Sequence, residues 1–212
     1  MKRLFFTILT LLSLAFIAQA QTFYGTTDVK TFREGRDKEF RNPRETPLLN
    51  QDFQKFKGLE YLPTDEKFTV KAKLKKTADK KYFTMPTSAG TSVKFIKYGV
   101  LTFDLEGKIH TLTVYQSEDF ASGKFPEYKD LLFIPFRDLT NGKETYGAGR
   151  YLDIKIPAGE EVILNFNLAY NPNCAYGSGK YSCPIPPKEN FLQVKITVGE
   201  KKFQTASAKE EK

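Results

Sequence analysis

Alternation of apolar and polar residues along short segments restricts the possible fold of this chain more than any other feature. In residues 67–75, KFTVKAKLK, every second side chain is apolar, and four of the other five are lysines. A period of two is typical of a half-buried β-strand. The lysine face is explained by contact with solvent or by protection of an edge strand against further pairing. We therefore expect no nucleic-acid partner, although such a face can bind phosphates.

A second pair of alternating segments predicts a β-hairpin. The segment YGVLTFDLEGKIHTLTVYQ, residues 98–116, contains Glu106-Gly107 between two apolar runs. A two-residue turn at that point pairs Leu101 with Leu112 and Gly99 with Val114, which keeps one apolar face. It also sets His110 opposite Phe103. Because His110 is the only histidine, a site with several histidine ligands is excluded, and we expect no metal or other cofactor.

Composition agrees with a chain built mainly of strands. The sequence has 19 Phe and 11 Tyr residues, no Trp, 14 Gly and 11 Pro, and apolar runs separated by turn residues recur along it. We predict an all-β fold, a single antiparallel β-sandwich or barrel, for residues 59–199. Residues 191–198 should supply its last core strand, and residues 200–212 should form a charged tail.

A short helical lead, residues 21–58, precedes the β-rich region. Asp28 can cap a helix whose apolar side carries Val29, Phe32 and Phe40, and Asn42-Pro43 should end it. This helix is expected to pack against one edge or end of the β-domain.

Residues 1–20 have the features of a secretory signal peptide. Lys2 and Arg3 precede an apolar run that ends at Ala18-Gln19-Ala20, so we expect cleavage after Ala20 and a periplasmic or secreted protein. No stable membrane span is expected after cleavage. The formal net charge is +8, of which Lys2 and Arg3 contribute two charges. The remaining positive charge favours an anionic partner.

The segments RYLDIKI and VILNFN, residues 150–156 and 162–167, suggest a second hairpin. A five-residue loop between them would bury Leu152, Ile154 and Ile156 with the apolar residues of the second segment. The same register would pair Asp153 with Asn165 and Tyr151 with Asn167 on the other face. Asn and Asp are depleted in strand interiors, so these side chains should bond to a neighbouring loop or face a ligand.

The segment NLAYNPNCAYGSGKYSCPIPP, residues 167–187, follows directly and holds both cysteines of the chain. In an exported protein Cys174 and Cys183 are expected to form a disulfide. A metal site or a reactive thiol pair is the alternative. Tyr170 and Asn171 could then fold back over the polar face of the predicted hairpin. Gly147 and Gly149 do not match a phosphate-binding loop, and we interpret them as permitting close backbone approach before Arg150.

These residues carry a family resemblance. PFRDLTNGKETYGAGRYLD, LNFNLAYNPNCAY and CPIPPKENFLQVKI closely resemble the C-terminal half of the DUF1684 family, bacterial proteins of unknown function. The resemblance spans residues 131 to about 201 and assigns no activity. Its hallmark positions include several residues that we select as ligand-binding candidates, and the full set of candidates is Asp138, Tyr146, Arg150, Tyr151, Asp153, Asn165, Asn167, Tyr170 and Asn171.

Three functions remain open from the sequence. The first is an exported binding module for a small polar, sugar-like or anionic ligand, with Arg150 and the tyrosines in contact with it. The second is a glycosidase-like hydrolase that uses two carboxylates from among Asp138, Glu144 and Asp153. The third is a structural polar network that binds no ligand.

Overall fold

The computed structural model describes residues 23–78 and 82–205. The predicted signal peptide therefore lies outside the described residues. The α-helices are α1 (Val29–Arg41), α2 (Asn50–Gln54) and α3 (Glu118–Ala121). The strands are β1 (Thr69–Lys76), β2 (Tyr82–Pro86), β3 (Ser92–Leu105), β4 (Lys108–Ser117), β5 (Leu131–Phe136), β6 (Arg150–Lys155) and β7 (Glu161–Asn165). Within this part of the chain no helix is both long and apolar enough to cross a membrane.

The seven strands form one antiparallel sheet that curls into a half-barrel. Its order is β6-β5-β4-β3-β1-β7, and β2 also pairs with the long strand β3. The main core covers one face of this sheet and includes Leu101, Leu112, Ile134 and Phe166, all of them fully buried. The all-β prediction is confirmed. A single curled sheet corresponds to the barrel alternative rather than to two stacked sheets.

The first two strand predictions hold in detail. Strand β1 buries Ala72 and Leu74 and exposes its lysines, as the alternation requires. It lies between β3 and β7, so its lysines form a solvated face, and the edge-strand explanation is wrong. Strands β3 and β4 pair Leu101 with Leu112, Gly99 with Val114 and Phe103 with His110.

The N-terminal helix is also confirmed. The Asp28 carboxylate accepts a hydrogen bond from the Thr31 amide at 2.7 Å and begins α1, and Asn42 ends it. Phe32 packs into the main core, while Phe40 joins a smaller cluster with Leu48 and Tyr176. The helix therefore fastens the lead to the β-domain through two separate apolar contacts.

The predicted hairpin of residues 151–167 is wrong. Strand β6 pairs with β5, with Phe133 opposite Asp153, and β7 pairs with β1, with Thr69 opposite Asn165. The two strands lie at opposite ends of the sheet order. Alternation correctly identified the buried side chains, but it does not identify a strand's partner, because any neighbour with an apolar face satisfies the same rule.

Residues 191–198 bury three apolar side chains but form no strand, which corrects the prediction of a last core strand. Leu192, Ile196 and Val198 belong to the main core. Their backbone groups bond to an irregular segment instead of a sheet: the Leu192 amide donates to the Arg137 carbonyl at 2.8 Å, and the Leu139 amide to the Val194 carbonyl at 3.1 Å. The first residues of the predicted tail are packed as well, since Glu200 is buried and the Lys201 amide donates to the Glu60 carbonyl.

Candidate functional site

The face of β5 and β6 opposite the main core carries the candidate site. Leu132 and Ile134 of β5 and Leu152 of β6 are in the core. Because successive side chains of a strand point to opposite faces, Phe133 and Asp153 lie on the other face. Phe133 and Asp153 are direct partners in the sheet, and Tyr115 of the next strand, β4, lies opposite Phe133.

An aromatic cleft of about 300 Å³ lies over this face. It is lined by residues from the sheet, the N-terminal segment, the β4–β5 connection and the disulfide loop. We use the name aromatic cleft for this site, whose rings belong to Tyr24, Phe95, Phe120, Tyr128, Phe133, Tyr151, Tyr170 and Tyr181. Among its described lining residues Asp153 is the only charged one.

The disulfide loop, residues 170–184, forms one wall of the aromatic cleft. Tyr170 returns to β6, where its amide donates to the Tyr151 carbonyl at 3.0 Å and its carbonyl accepts from the Tyr151 amide at 2.9 Å. The Tyr151 hydroxyl donates to the Pro184 carbonyl at 2.5 Å. Cys174 and Cys183 are bonded to each other, which confirms the predicted disulfide. The loop is therefore attached to β6 near both of its ends.

Asp153 lies half-buried among the tyrosines. The Tyr170 hydroxyl donates to its Oδ2 atom at 2.5 Å. Burial disfavours the charged carboxylate and raises the pKa of Asp153 to about 6, and the hydrogen bond from Tyr170 and the nearby Arg36 guanidinium only partly oppose this effect. The side chain can thus change its charge near neutral pH.

A buried charged cluster lies behind Tyr170. The Arg36 guanidinium is 4.9 Å from the centroid of the Tyr170 ring, and it donates to the Tyr24 hydroxyl at 3.0 Å and to Glu39 at 3.1 Å. Glu200 is 3.7 Å from Arg36 and accepts from the Asn171 side chain at 3.0 Å. Asn171, a predicted ligand-binding residue, therefore binds the C-terminal segment instead.

Arg150 and Asp138 form an ion pair that is wholly inaccessible to solvent. The Arg150 Nη2 atom donates to Asp138 at 3.0 Å and to the Ile196 carbonyl at 2.8 Å, and its Nη1 atom donates to the Val198 carbonyl. Asp138 also accepts from the Thr140 hydroxyl at 2.6 Å. Burial lowers the pKa of Arg150 from its ordinary value, against the effect of Asp138. These side chains take the place of the missing strand partner for residues 196–198.

Asn165 and Asn167 belong to another polar group, at the start of β1. Asn165 Oδ1 accepts from the Thr69 hydroxyl at 3.1 Å and from the Asn167 amide at 3.0 Å. The Asn167 side chain exchanges hydrogen bonds with the backbone of Asp65, at 2.9 and 3.0 Å. Asn165 also borders a second cavity of about 310 Å³, between the β6 and β7 edges and next to residues 25–27.

Only part of the predicted set of ligand-binding residues therefore lies at the aromatic cleft. Tyr151, Asp153 and Tyr170 line the aromatic cleft, whereas Arg150, Asp138, Asn165, Asn167 and Asn171 do not. Tyr146 lies in the β5–β6 connection, where its carbonyl accepts from the Asn141 side chain at 3.0 Å. Within the described residues no three His, Cys, Asp or Glu side chains are grouped as a metal site would require.

Several residues of the aromatic cleft and of the charged cluster behind it were missed by the sequence analysis. Phe133 had a detectable signal, because β5 is apolar at consecutive positions, LLFIPF, and a strand apolar on both faces is covered on both. Tyr24, Arg36 and Glu200 had none, since each is a single polar residue in a segment assigned to the lead or the tail. The tight approach before Arg150 was expected correctly: Gly149 has φ +109°, and a Cβ there would lie 2.6 Å from the Phe136 carbonyl oxygen.

The geometry defines a curled antiparallel half-barrel with an aromatic cleft on its outer face. The model of DUF1684, a protein family of unknown function, matches residues 54–201. The chain belongs to this family.

A solved structure supports the same fold. The solution NMR structure of an uncharacterized protein from Haloarcula marismortui is 32% identical, with a TM-score of 0.64, and the alignment covers 82% of this chain and 91% of that one. Curated proteins gave no significant match. Tyr24 and Arg36, which lie at the aromatic cleft and behind it, precede the residues matched by the family model.

Proposed function

We propose that this protein is an exported binding module that holds a small polar ligand, such as a sugar-like molecule, in the aromatic cleft. The observation that carries the proposal is the position of Asp153, a carboxylate on the floor of a cavity otherwise walled by rings and small polar groups. A few placed polar groups in a mostly apolar concave site are typical of small-molecule sites. The volume of about 300 Å³ is at the lower end of the range for such sites.

The lining supports a ligand with both an apolar face and a hydrogen-bond donor. The rings of Phe133 and Tyr151 meet at 75°, with centroids 4.6 Å apart, and offer flat apolar surface beside the carboxylate. One oxygen of Asp153 accepts from Tyr170. A carboxylate has lone pairs for further donors, so a ligand hydroxyl or amine could bind there.

The alternatives find less support in the geometry. The hydrolase hypothesis needs two carboxylates across a substrate, but Asp138 is paired with Arg150 away from the aromatic cleft, and Glu144 is exposed on the β5–β6 connection. The structural hypothesis does account for the hydrogen bonds of Arg150, Asp138, Asn165 and Asn167. It accounts less fully for Asp153, because Tyr170 bonds to one carboxylate oxygen and burial still raises the pKa of the group.

Ligand-induced stabilisation tests the binding proposal. Wild type, Asp153→Asn and the control Asp104→Asn should be heated with a panel of sugars, nucleotides, small acids and amines. Asp104 is exposed at the β3–β4 turn, and Asn can keep its hydrogen bond to the Gly107 amide. We expect at least one class to raise the Tm of wild type and of Asp104→Asn but not of Asp153→Asn. No stabilisation of wild type by any class would contradict the proposal.

Export is a separate part of the proposal and needs its own test. The features of residues 1–20 and the Cys174–Cys183 disulfide support it, because disulfides persist in oxidising compartments. Intact-mass analysis of the protein purified from a Gram-negative host should show a chain that begins at Gln21 in the periplasmic fraction. A full-length chain in the cytoplasmic fraction would contradict export while leaving the ligand proposal unaffected.

A further inference from the structure

The balance of charges around the aromatic cleft narrows the class of ligand. No Lys, Arg or His belongs to its described lining, and Asp153 is the only acid there. A buried cation, Arg36, lies behind the Tyr170 ring and already contacts Glu39 and Glu200. Arg36 therefore has two carboxylate partners in addition to the nearby Asp153. The aromatic cleft and the region behind it therefore contain more acidic than basic groups.

The rings are arranged as adjoining walls. Tyr151 meets Tyr170 at 87° with centroids 5.7 Å apart, and Tyr24 meets Tyr128 at 73° with centroids 6.4 Å apart. Tyr24 and Tyr170 are themselves 5.6 Å apart. All four rings line the aromatic cleft, and aromatic rings set at angles around a pocket can bind organic cations through cation–π contacts.

We infer that the ligand is an organic ammonium ion, with Asp153 as its counter-ion and the tyrosine and phenylalanine rings in contact with its carbon atoms. This inference rests on the proposed binding function and replaces its general polar ligand with a charged class. A neutral sugar would give Asp153 hydrogen bonds but no opposite charge. A primary ammonium ion would supply both, and a quaternary one would supply the opposite charge, so either would offset more of the cost of burying the carboxylate.

Choline and its uncharged isostere 3,3-dimethylbutan-1-ol provide the test, because the two share their shape and differ in charge. Binding should be measured by titration calorimetry at pH 8 and constant ionic strength, with butylamine and methyl β-glucoside as further probes. We expect choline or butylamine to bind wild type at least tenfold more tightly than either neutral probe. Asp153→Asn should lose that preference, whereas Asp104→Asn should keep it.

The possible outcomes distinguish the inference of an ammonium ligand from the more general proposal of a binding function. If the glucoside or the isostere binds as tightly as the ammonium probes, the ligand is neutral and the inference is wrong, but the binding function stands. If no ammonium probe binds while another class of the thermal panel does, the inference is again wrong. If nothing in the panel binds wild type, both fail. Circular dichroism of Asp153→Asn excludes unfolding as the cause of a lost signal.

Discussion

Arg150 and Asp153 lie three positions apart on β6 and occupy opposite kinds of environment. Arg150 lies on the same face of β6 as Leu152 and Ile154, which is the face that packs on the core. Its Nη atoms bond there to Asp138 and to the carbonyls of residues 196 and 198. Asp153 lies on the other face, towards the aromatic cleft, where Tyr170 is its hydrogen-bond donor. One strand thus carries a sealed ion pair and an open carboxylate, and only the second is placed to meet a ligand.

The sealed pair should give the largest effect on stability. Arg150→Met keeps much of the side-chain volume but leaves the Asp138 charge buried without its partner, so we expect the free energy of unfolding to fall by about 3 to 5 kcal/mol. Urea denaturation measures this loss. Arg137→Met is the control, because Arg137 is the exposed arginine that follows β5 and its guanidinium lies over the Phe191 ring without an acidic partner among the ion pairs of the described residues. A loss below about 1 kcal/mol at Arg150 would show that the pair does not hold the C-terminal segment.

The disulfide loop bonds to β6 on the side of the open carboxylate and forms one wall of the aromatic cleft. Replacing both Cys174 and Cys183 by Ser opens a loop closed across nine positions, and we expect a loss of about 2 to 3 kcal/mol by the chain-entropy estimate. Adding reductant to wild type should produce the same urea midpoint as the double variant. The double variant itself should not respond to reductant. Equal midpoints for all four samples would mean that the loop is held by its hydrogen bonds alone.

The contrast between Arg150 and Asp153 also shows which structural features could be predicted from the sequence. Period-two alternation assigned the inward and outward side chains of β1, β3, β4 and β6 correctly, because burial of one face dominates their energetics. Arg150 was nevertheless grouped with Tyr151 and Asp153 as a ligand contact, although its even position placed it on the core face. Residue type suggested a binding role, and parity was the better guide.

The partners of the strands could not be predicted in the same way. The β6–β7 hairpin was favoured because the two segments are adjacent in the chain and their apolar residues could be matched. In the structure each segment instead pairs with a more distant strand, β5 or β1. Likewise, nothing in the local pattern at Glu200 indicates that it meets Arg36 from the N-terminal helix. Long-range pairing of single polar residues leaves no periodic signal in the sequence.

Asp153→Asn should act in the opposite direction to Arg150→Met. The pKa of Asp153 rises from 3.8 to about 6 on folding, so the folded state binds a proton more tightly. The stability that this proton contributes is present below about pH 4 and is lost as the pH rises through about 6. At pH 8 wild type therefore retains a half-buried charge that the variant lacks. We expect the variant to be about 1 to 2 kcal/mol more stable there, after allowance for partial exposure.

The pH dependence of that difference identifies its cause. Urea denaturation at pH 8, 6 and 4 should show the advantage of Asp153→Asn shrinking towards zero at pH 4, where both side chains are neutral. Burial also raises the pKa of Glu200, but Glu200 is present in both proteins and cancels in the comparison. Asp104→Asn serves as the exposed control and should show no such trend. An Asp153→Asn variant less stable than wild type at pH 8 would mean that the charged hydrogen bond with Tyr170 outweighs the burial cost.

The smallest effect on stability is expected for the outer wall of the aromatic cleft. Phe120 is half-buried in α3 and contacts the Tyr128 ring with centroids 5.2 Å apart, so Phe120→Ala should cost about 1 kcal/mol or less. Phe125→Ala is the matched control, because Phe125 contacts Phe120 but does not line the cleft. If the rings contact the ligand, Phe120→Ala should weaken choline binding several-fold while Phe125→Ala leaves it unchanged. Equal binding by both variants would place the ligand deeper, against Phe133, Tyr151 and Asp153 alone.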